Sequence, residues 1–312
     1  MSELKEKIDL AAQRIHQHIR KTPLEPAHSG GQDFYLKLEC LQKTRSFKLR
    51  GALNKLLSLS PEQLQQGVIT ASTGNHGLAV AFGLDLLQAP GKIVLPETAA
   101  PKKVALLERY NVELVFHGQD SATSETYARQ LAAASEQPFI SPYNDWEVVA
   151  GQGTIGIELC DQLPGLQSVY VPVGGGGLIS GIAGYLKAVV PDVEIVGCIP
   201  AHSPVMHECV EAGKIVAGTV EPTLSDGTAG GVEDGAITFP LCRDLVDRWV
   251  RVSEAEIQAG MRWAFEAQGL VVEGAAGVSI AAFHKQPPAT GPAVVVLCGG
   301  NVDIAQFKKL VW

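Results

Sequence analysis

The apolar and polar positions of this chain switch repeatedly between helical and strand spacing. Residues 3–20 carry apolar side chains at helical spacing and predict an amphipathic helix that ends before Thr22-Pro23-Leu24. Phe34-Tyr35-Leu36-Lys37-Leu38 reads as a strand. Leu49, Ala52, Leu53, Leu56 and Leu57 predict the next helix, which stops at Ser60-Pro61. Ser46 is placed as its N-cap, which puts Lys48 in the first turn. Gly67-Val68-Ile69-Thr70-Ala71 is a short β-branched run, followed by Ser72-Thr73-Gly74-Asn75-His76-Gly77 and an apolar helix over 78–87. Strands at 92–95, 112–116 and 138–140 then alternate with helices at 101–110 and 121–134. A helix over about 147–163 leads to the strand 168–173, the run Gly174-Gly175-Gly176-Gly177, a helix over 178–190 and a strand at 193–198.

Residues 213–237 are glycine-rich and aperiodic and read as a long loop, and 239–249 reads as helix. Ser253-Glu254-Ala255-Glu256 is a capping box opening a helix to Gln268, and Glu273-Gly274-Ala275-Ala276-Gly277 begins another. The buried strand 293–298 ends in Gly299-Gly300-Asn301. Strands alternating with helices predict parallel sheets with crossover helices, an α/β architecture.

Composition narrows the partners. The chain has 312 residues, 46% hydrophobic and 19% charged, which suffices for one large domain or two. A net charge of −8 without a Lys/Arg block argues against a nucleic-acid groove or an anionic membrane surface. No apolar run is long enough to span a bilayer, and the charged start Met1-Ser2-Glu3-Leu4-Lys5-Glu6-Lys7 is no signal peptide. Six scattered cysteines without a C-x-x-C pair suit reduced thiols and a cytoplasmic protein. His202, His207 and Cys209 are too loosely spaced for a recognised metal pattern, and no G-x-S-x-G elbow supports serine hydrolysis.

The chemistry gathers in the turns. A first-turn lysine faces the positive end of a helix dipole, and burial against Phe47 lowers its pKa further, so Lys48 suits an amine nucleophile or base. Alone, it reads more readily as a solvated surface lysine, since long charged side chains mostly reach for solvent. The four glycines between strand and helix present consecutive N–H groups, an anion cradle whose usual guest is phosphate, or else a tight packing turn. Ser72 to Gly77 suits a carboxylate or is simply a polar loop. Cys298 ends a buried strand where open sheets place ligands, although a lone buried cysteine is commonly core. Taken together, an amine, a phosphate cradle and a carboxylate loop at strand ends match pyridoxal phosphate and an amino-acid substrate.

On Ser46-Phe47-Lys48-Leu49-Arg50-Gly51-Ala52, Ser72-Thr73-Gly74-Asn75-His76-Gly77, Gly174 to Gly177 and Gly299-Gly300-Asn301, the sequence resembles the serine/threonine dehydratase and serine racemase family. Thr22-Pro23-Leu24 and Glu273-Gly274-Ala275-Ala276-Gly277 also match, and the resemblance covers nearly the whole chain. It implies fold type II of the pyridoxal-phosphate enzymes, like the β subunit of tryptophan synthase: two open, twisted, mostly parallel sheets with helices on both faces. It further implies a small domain at 67–141 inserted into a large cofactor-binding domain of residues 1–66 and 142–312. Lys48 would form the Schiff base and Phe47 flank the ring. Asn75 would bond the phenolic oxygen, Gly174, Gly175, Gly176, Gly177 and Leu178 the phosphate, and Cys298 would face the pyridine nitrogen. Ser72, Thr73, Asn75 and His76 would meet the substrate. The family implies a homodimer or homotetramer.

The departures carry expectations of their own. Many relatives have serine where Cys298 stands. Like serine, a thiol is no anionic carboxylate, so the ring nitrogen stays largely unprotonated, which favours elimination over transamination. Racemases of the family have a serine acid/base where Thr73 stands, and many dehydratases have alanine. Thr73 keeps a hydroxyl, so racemisation stays open. Ile199 and Val205 stand where some relatives place metal-binding carboxylates, so no metal is expected there. No regulatory domain follows Asn301, which argues against an end-product-inhibited biosynthetic form.

The leading expectation is an ammonia-lyase that converts a β-hydroxy amino acid, L-threonine or L-serine first, to a 2-oxo acid. Lys48 would remove the Cα proton and Thr73 is the second catalytic candidate. Rivals are a racemase, and a dehydratase of a hydroxyectoine-derived amino acid suggested by Thr223-Leu224-Ser225-Asp226 and Gly230-Gly231. A third rival is a non-catalytic binder of a phosphate ligand. The side-chain pocket is drawn from Asp226 to Gly231 or from Glu273.

Overall fold

A computed structural model describes residues 2–289 and 291–311. In chain order the elements are α1 (Ser2–Ile15), the hairpin β1 (Leu24–Ser29) and β2 (Gln32–Lys37), α2 (Lys48–Ser58), α3 (Pro61–Gln66), β3 (Val68–Ala71), α4 (Asn75–Leu87) and β4 (Gly91–Leu95). Then come α5 (Pro101–Leu107), β5 (Glu113–Phe116), α6 (Ser121–Ala134), α7 (Trp146–Gln162), β6 (Ser168–Pro172), α8 (Gly177–Val189), β7 (Glu194–Pro200) and α9 (Val205–Ala212). The series closes with α10 (Thr238–Leu245), β8 (Arg248–Val252), α11 (Glu254–Gln268), α12 (Gly274–Lys285), β9 (Ala293–Val296) and α13 (Ile304–Val311).

The strands form two sheets. The larger has the order β1-β2-β9-β6-β7-β8, parallel except for the β1–β2 hairpin, and the smaller is β3-β4-β5, all parallel. β9 sits between β2 and β6, with Leu36 and Tyr170 both opposite Val295. Every residue of β9 is buried, as its unbroken apolar run requires for a strand covered on both faces. α12 lies along β6 to β9, and α8 contacts β6 and packs on α7. In the smaller sheet, α4 and α6 both contact β3 and β4. The expected α/β class with two open, mostly parallel sheets is what the chain adopts.

Several elements differ from the sequence expectation, each for a local reason. The first helix stops at Ile15, where the run of buried positions Leu4, Ile8, Ala11 and Ile15 ends. Residues 24–29 are a strand, because Gly30 and Gly31 at positive φ turn them back onto β2. Residues 138–140 contribute one bridge, Ile69 to Phe139, in place of a full strand. The helix read over 239–249 is α10 followed by β8, whose Val250 and Val252 point inward at strand spacing. α3, α9 and α13 were not distinguished by periodicity, since each has at most three buried positions. The loop at 213–237 is confirmed as free of helix and strand.

α2, which starts at Lys48, is held from behind. At Gly51 and Gly151, α2 and α7 cross with their backbones in contact, since a Cβ on Gly151 would lie 2.6 Å from the Gly51 Cα. Next to this crossing, Arg50 is fully buried and donates to both oxygens of Glu39 (2.8 and 2.7 Å) and to Glu158 (2.7 Å). Lys37 also pairs with Glu158 (2.5 Å) and donates to the Thr22 carbonyl. Two cations meet two carboxylates, so the charge closes inside the protein. Arg50→Ala would strand Glu39 in the core and weaken the hold on Glu158. The expected loss is about 3–5 kcal/mol of unfolding free energy, read from the urea midpoint, whereas a surface control such as Lys21→Ala changes it little.

Candidate active site

The site is assembled at strand ends and helix starts. Lys48 is the first residue of α2, but Ser46 is not its cap. The capping position is Phe47, in αR conformation, and no side chain caps the helix. Ser46 instead bridges Gly299 through its backbone, and its buried Oγ has no partner among the described residues. The bridge ties the lysine segment to the end of β9, and the Phe47 N–H donates to the Cys298 carbonyl (3.0 Å).

Lys48 Nζ donates to the Pro142 carbonyl (2.8 Å) and lies 5.1 Å from the centre of the Phe47 ring. Burial pushes its pKa down to about 8, although Cys298 and the Glu273 carboxyl pull the other way. Burial, more than the helix dipole invoked from sequence, is therefore the main cause. Burial also drives the Cys298 thiol well above its ordinary range and so keeps it neutral.

Pro142 leads directly to the second part of the site. A Cβ on Gly175 would lie 2.5 Å from the Tyr143 ring, and one on Gly177 3.0 Å from Tyr143 Cβ. On the other side, a Cβ on Gly174 would come within 2.8 Å of the Thr228 backbone. Gly176 has φ +85°, and its Cβ would meet Cys242. Each glycine thus leaves space or a conformation that a side chain would remove. Thr238 Oγ1 donates to the Gly175 carbonyl (2.7 Å) and fixes the loop. α8 starts at Gly177, so its first N–H groups, including that of buried Leu178, lack partners within the helix and face an incoming anion.

The third part is the start of α4. Asn75 Nδ2 donates to both oxygens of Glu273 (2.8 and 3.0 Å), while Asn75 Oδ1 accepts from Asn301 Nδ2 (2.8 Å). Glu273 is buried at the start of α12, and burial raises its pKa to about 7 against the pull of the Asn75 hydrogen bond. Ser72 Oγ accepts from the Gly74 N–H (3.1 Å), and Ser72 and Thr73 are half-buried. His76 is different. Its ring is buried with Nε2 3.0 Å from the Ile140 carbonyl, and burial drives its pKa to about 3. The imidazole is therefore neutral and bound to the backbone through Nε2, while its buried Nδ1 has no partner among the described residues.

Lys48, Phe47, Asn75, Cys298 and the glycine run share neighbours in the structure, among them Pro142, Tyr143, Thr228, Thr238 and Asn301, which no sequence spacing related to them. Glu273 was named only for the pocket, and its contact with Asn75 joins residues far apart in sequence. Of the 223–231 stretch, Thr223 and the Leu224 N–H bind Glu254, while Asp226 pairs with Lys103 at the surface. Ile199 and Val205 are buried apolar residues of the larger core. Among the described residues no group of His, Cys, Asp or Glu side chains is placed to hold a metal ion, and no helix is long and apolar enough to cross a membrane.

A low-pKa amine beside an aromatic ring, an amide donor, a neutral thiol and a glycine cradle form a donor set that fits an aromatic aldehyde with a phosphate tail. The family model described as "pyridoxal-phosphate dependent enzyme" matches residues 15–299. The chain belongs to this family. It is 41% identical to an L-threonine ammonia-lyase of Geobacter sulfurreducens, over 97% of this chain and 77% of that one. It is 34% identical to a serine racemase of Arabidopsis thaliana, over 95% of this chain and 92% of the other. The solved structure of the processed form of threonine deaminase isoform 2 from Solanum lycopersicum superposes with a TM-score of 0.92 at 33% identity, covering 99% of this chain and 92% of that one. Family membership makes pyridoxal phosphate the cofactor of this enzyme.

The Lys48 amine sets a pH dependence. Only its neutral form attacks a carbonyl, and that form dominates above a pKa of about 8. Capture of pyridoxal phosphate by the apoenzyme, followed as growth of the visible band in stopped flow, should therefore speed up with rising pH and level off above that value.

Proposed function

We propose that this enzyme is an ammonia-lyase that acts on L-threonine or L-serine by α,β-elimination. The observation carrying this reading is the Lys48 amine held to the Pro142 carbonyl beside the Tyr143-walled glycine cradle, with neutral Cys298 and the Glu273 carboxyl that Asn75 binds close enough to act on that amine's ionisation. Likeness to proteins named threonine ammonia-lyase and threonine deaminase supports it.

When bound, pyridoxal phosphate supplies an aldehyde that captures the substrate amine and an electron-withdrawing ring that acidifies Cα. Gly174, Gly175, Gly176, Gly177 and Leu178 would hold its phosphate through backbone N–H groups, Phe47 would flank the ring, and Asn75 would bond the phenolic oxygen. Cys298, kept a neutral thiol by burial, would face the pyridine nitrogen and offer it no anionic partner, which favours elimination over transamination. Ser72, Thr73 and the first-turn N–H groups of α4 bind the substrate carboxylate. Lys48 Nζ takes the Cα proton, for which a pKa near the working pH is well matched. The β-hydroxyl would leave with a proton as water, and the released enamine would hydrolyse to a 2-oxo acid and ammonia.

Around this site we divide the chain into a small domain of residues 67–141, carrying the three-stranded sheet, and a large domain of residues 1–66 and 142–312. Six unpaired cysteines support a cytoplasmic enzyme, and the family resemblance supports a homodimer or homotetramer.

Purified enzyme loaded with cofactor should release 2-oxobutanoate from L-threonine, and Lys48→Ala should lower the rate by at least about a thousandfold. Full-rate turnover by Lys48→Ala would overturn the assignment. A second activity, racemisation, is favoured by the Thr73 hydroxyl at the substrate loop. If Thr73 carries it, D-serine formed from L-serine should disappear in Thr73→Ala while elimination persists, as read by chiral chromatography alongside the 2-oxo acid assay.

A further inference from the structure

Between Ile140 and Tyr143 the chain passes from the smaller sheet to α7, and on the way it meets both the start of α4 and Lys48. It is pinned first at Ile140, whose N–H donates to the Ile69 carbonyl in β3 (2.9 Å). The Ile140 carbonyl accepts twice, from Thr70 Oγ1 in β3 (2.8 Å) and from His76 Nε2 in α4 (3.0 Å). Both of its lone pairs are filled, which fixes the peptide plane. A carbonyl only accepts, so Nε2 carries the imidazole proton. Nδ1 has no partner, so the contact with Ile140 is the ring's one hydrogen bond among the described residues.

Two residues on, the Pro142 carbonyl receives the Lys48 amine (2.8 Å). The link between the two carbonyls is stiff. The Pro142 ring locks its own φ and confines Ser141 before it to extended conformations. Buried Ser141 is held further by its Oγ, which accepts from the Asn144 N–H (3.0 Å). A shift of the Ile140 carbonyl is therefore passed on to the Pro142 carbonyl.

We infer that His76 and Thr70 are positioning residues for Lys48: together they hold the Ile140–Pro142 segment so that the Pro142 carbonyl meets the amine. The use made of that amine rests on the function proposed above. Acting as a base, Lys48 gains a proton, and the Pro142 carbonyl then accepts from a full ammonium, a stronger hydrogen bond than a neutral amine makes. His76 also belongs to the loop assigned to the substrate carboxylate, so one short segment keeps the base and the carboxylate site in register.

The test is the pH dependence of Lys48 acetylation by acetic anhydride in the full chain freed of cofactor, read by mass spectrometry. Besides His76, the titratable groups facing Lys48 are Cys298 after β9 and Glu273 at the start of α12. The variants leave both in place. Burial keeps His76 neutral, with a pKa of about 3, so replacing it removes no charge. Wild type should label with a midpoint at about 8. His76→Asn, whose amide is too short to reach Ile140, should lower the midpoint by at least about half a pH unit, because the ammonium loses an acceptor. His76→Gln, whose amide reaches as far as Nε2, should keep it. An unshifted His76→Asn would overturn the inference. So would a shift of equal size in both variants, which is what a purely structural role of the ring predicts. Should His76→Asn fail to fold, Thr70→Val decides: a lowered midpoint supports the inference and an unchanged one overturns it. The labelling needs no turnover, so a wild type without lyase activity would overturn only the function proposed above.

Discussion

The buried ionic cluster of Arg50, Glu39, Glu158 and Lys37 is the constraint on which the rest of this structure depends. Arg50 lies two residues beyond Lys48 on α2, so the two side chains leave the helix on different faces. One face is locked by charge-assisted hydrogen bonds to the segment after β2 and to α7, and the other presents the amine. Thr154 and the Arg20 carbonyl accept the remaining guanidinium hydrogens, and Thr22 donates to Glu39. Burial alone would push the Glu39 carboxyl up, yet with Arg50 beside it the net shift is downward, so the carboxylate stays charged in the core. Such a cluster adds little stability over a well-packed apolar one, but it fixes geometry because each member has a single satisfying arrangement.

That geometry sets the character of the site. Lys48, Glu273 and Cys298 influence one another's ionisation, and each is displaced by burial toward its neutral form. His76 is held neutral in the same way. The centre therefore holds little fixed charge, and its polarity comes from the amides of Asn75 and Asn301 and from backbone N–H groups, which are oriented in advance.

Much of this was legible in the sequence where function is local. The glycine run, the lysine at a helix start and the β-branched runs each declare themselves within a few residues, because turn chemistry and periodicity are short-range properties. What depended on distant pairing was hidden. Ser46 has an N-cap's chemistry but is claimed by Gly299, a partner from the far end of the chain. β8 was merged with α10 because two elements separated by two residues leave no turn signal between them. The Asn75–Glu273 contact, the Tyr143 wall of the cradle and the ion cluster behind α2 all join residues that no spacing relates. The cause assigned to the low pKa of Lys48 changed for the same reason, since burial is a tertiary property and the helix dipole is a local one.

The strand order has a consequence for biosynthesis. Among the described residues β2 and β6 are joined only through β9, which follows both of them and every other described strand in the chain. Until residues 293–296 have left the ribosome, the early hairpin has an unpaired inner edge beside the apolar Phe34 and Leu36, and the larger sheet has a gap at its middle. Asn301, which orients Asn75, emerges later still. Up to β9 the nascent chain is therefore made with aggregation-prone edges open and no cofactor site to stabilise it, a state in which chaperone protection matters most.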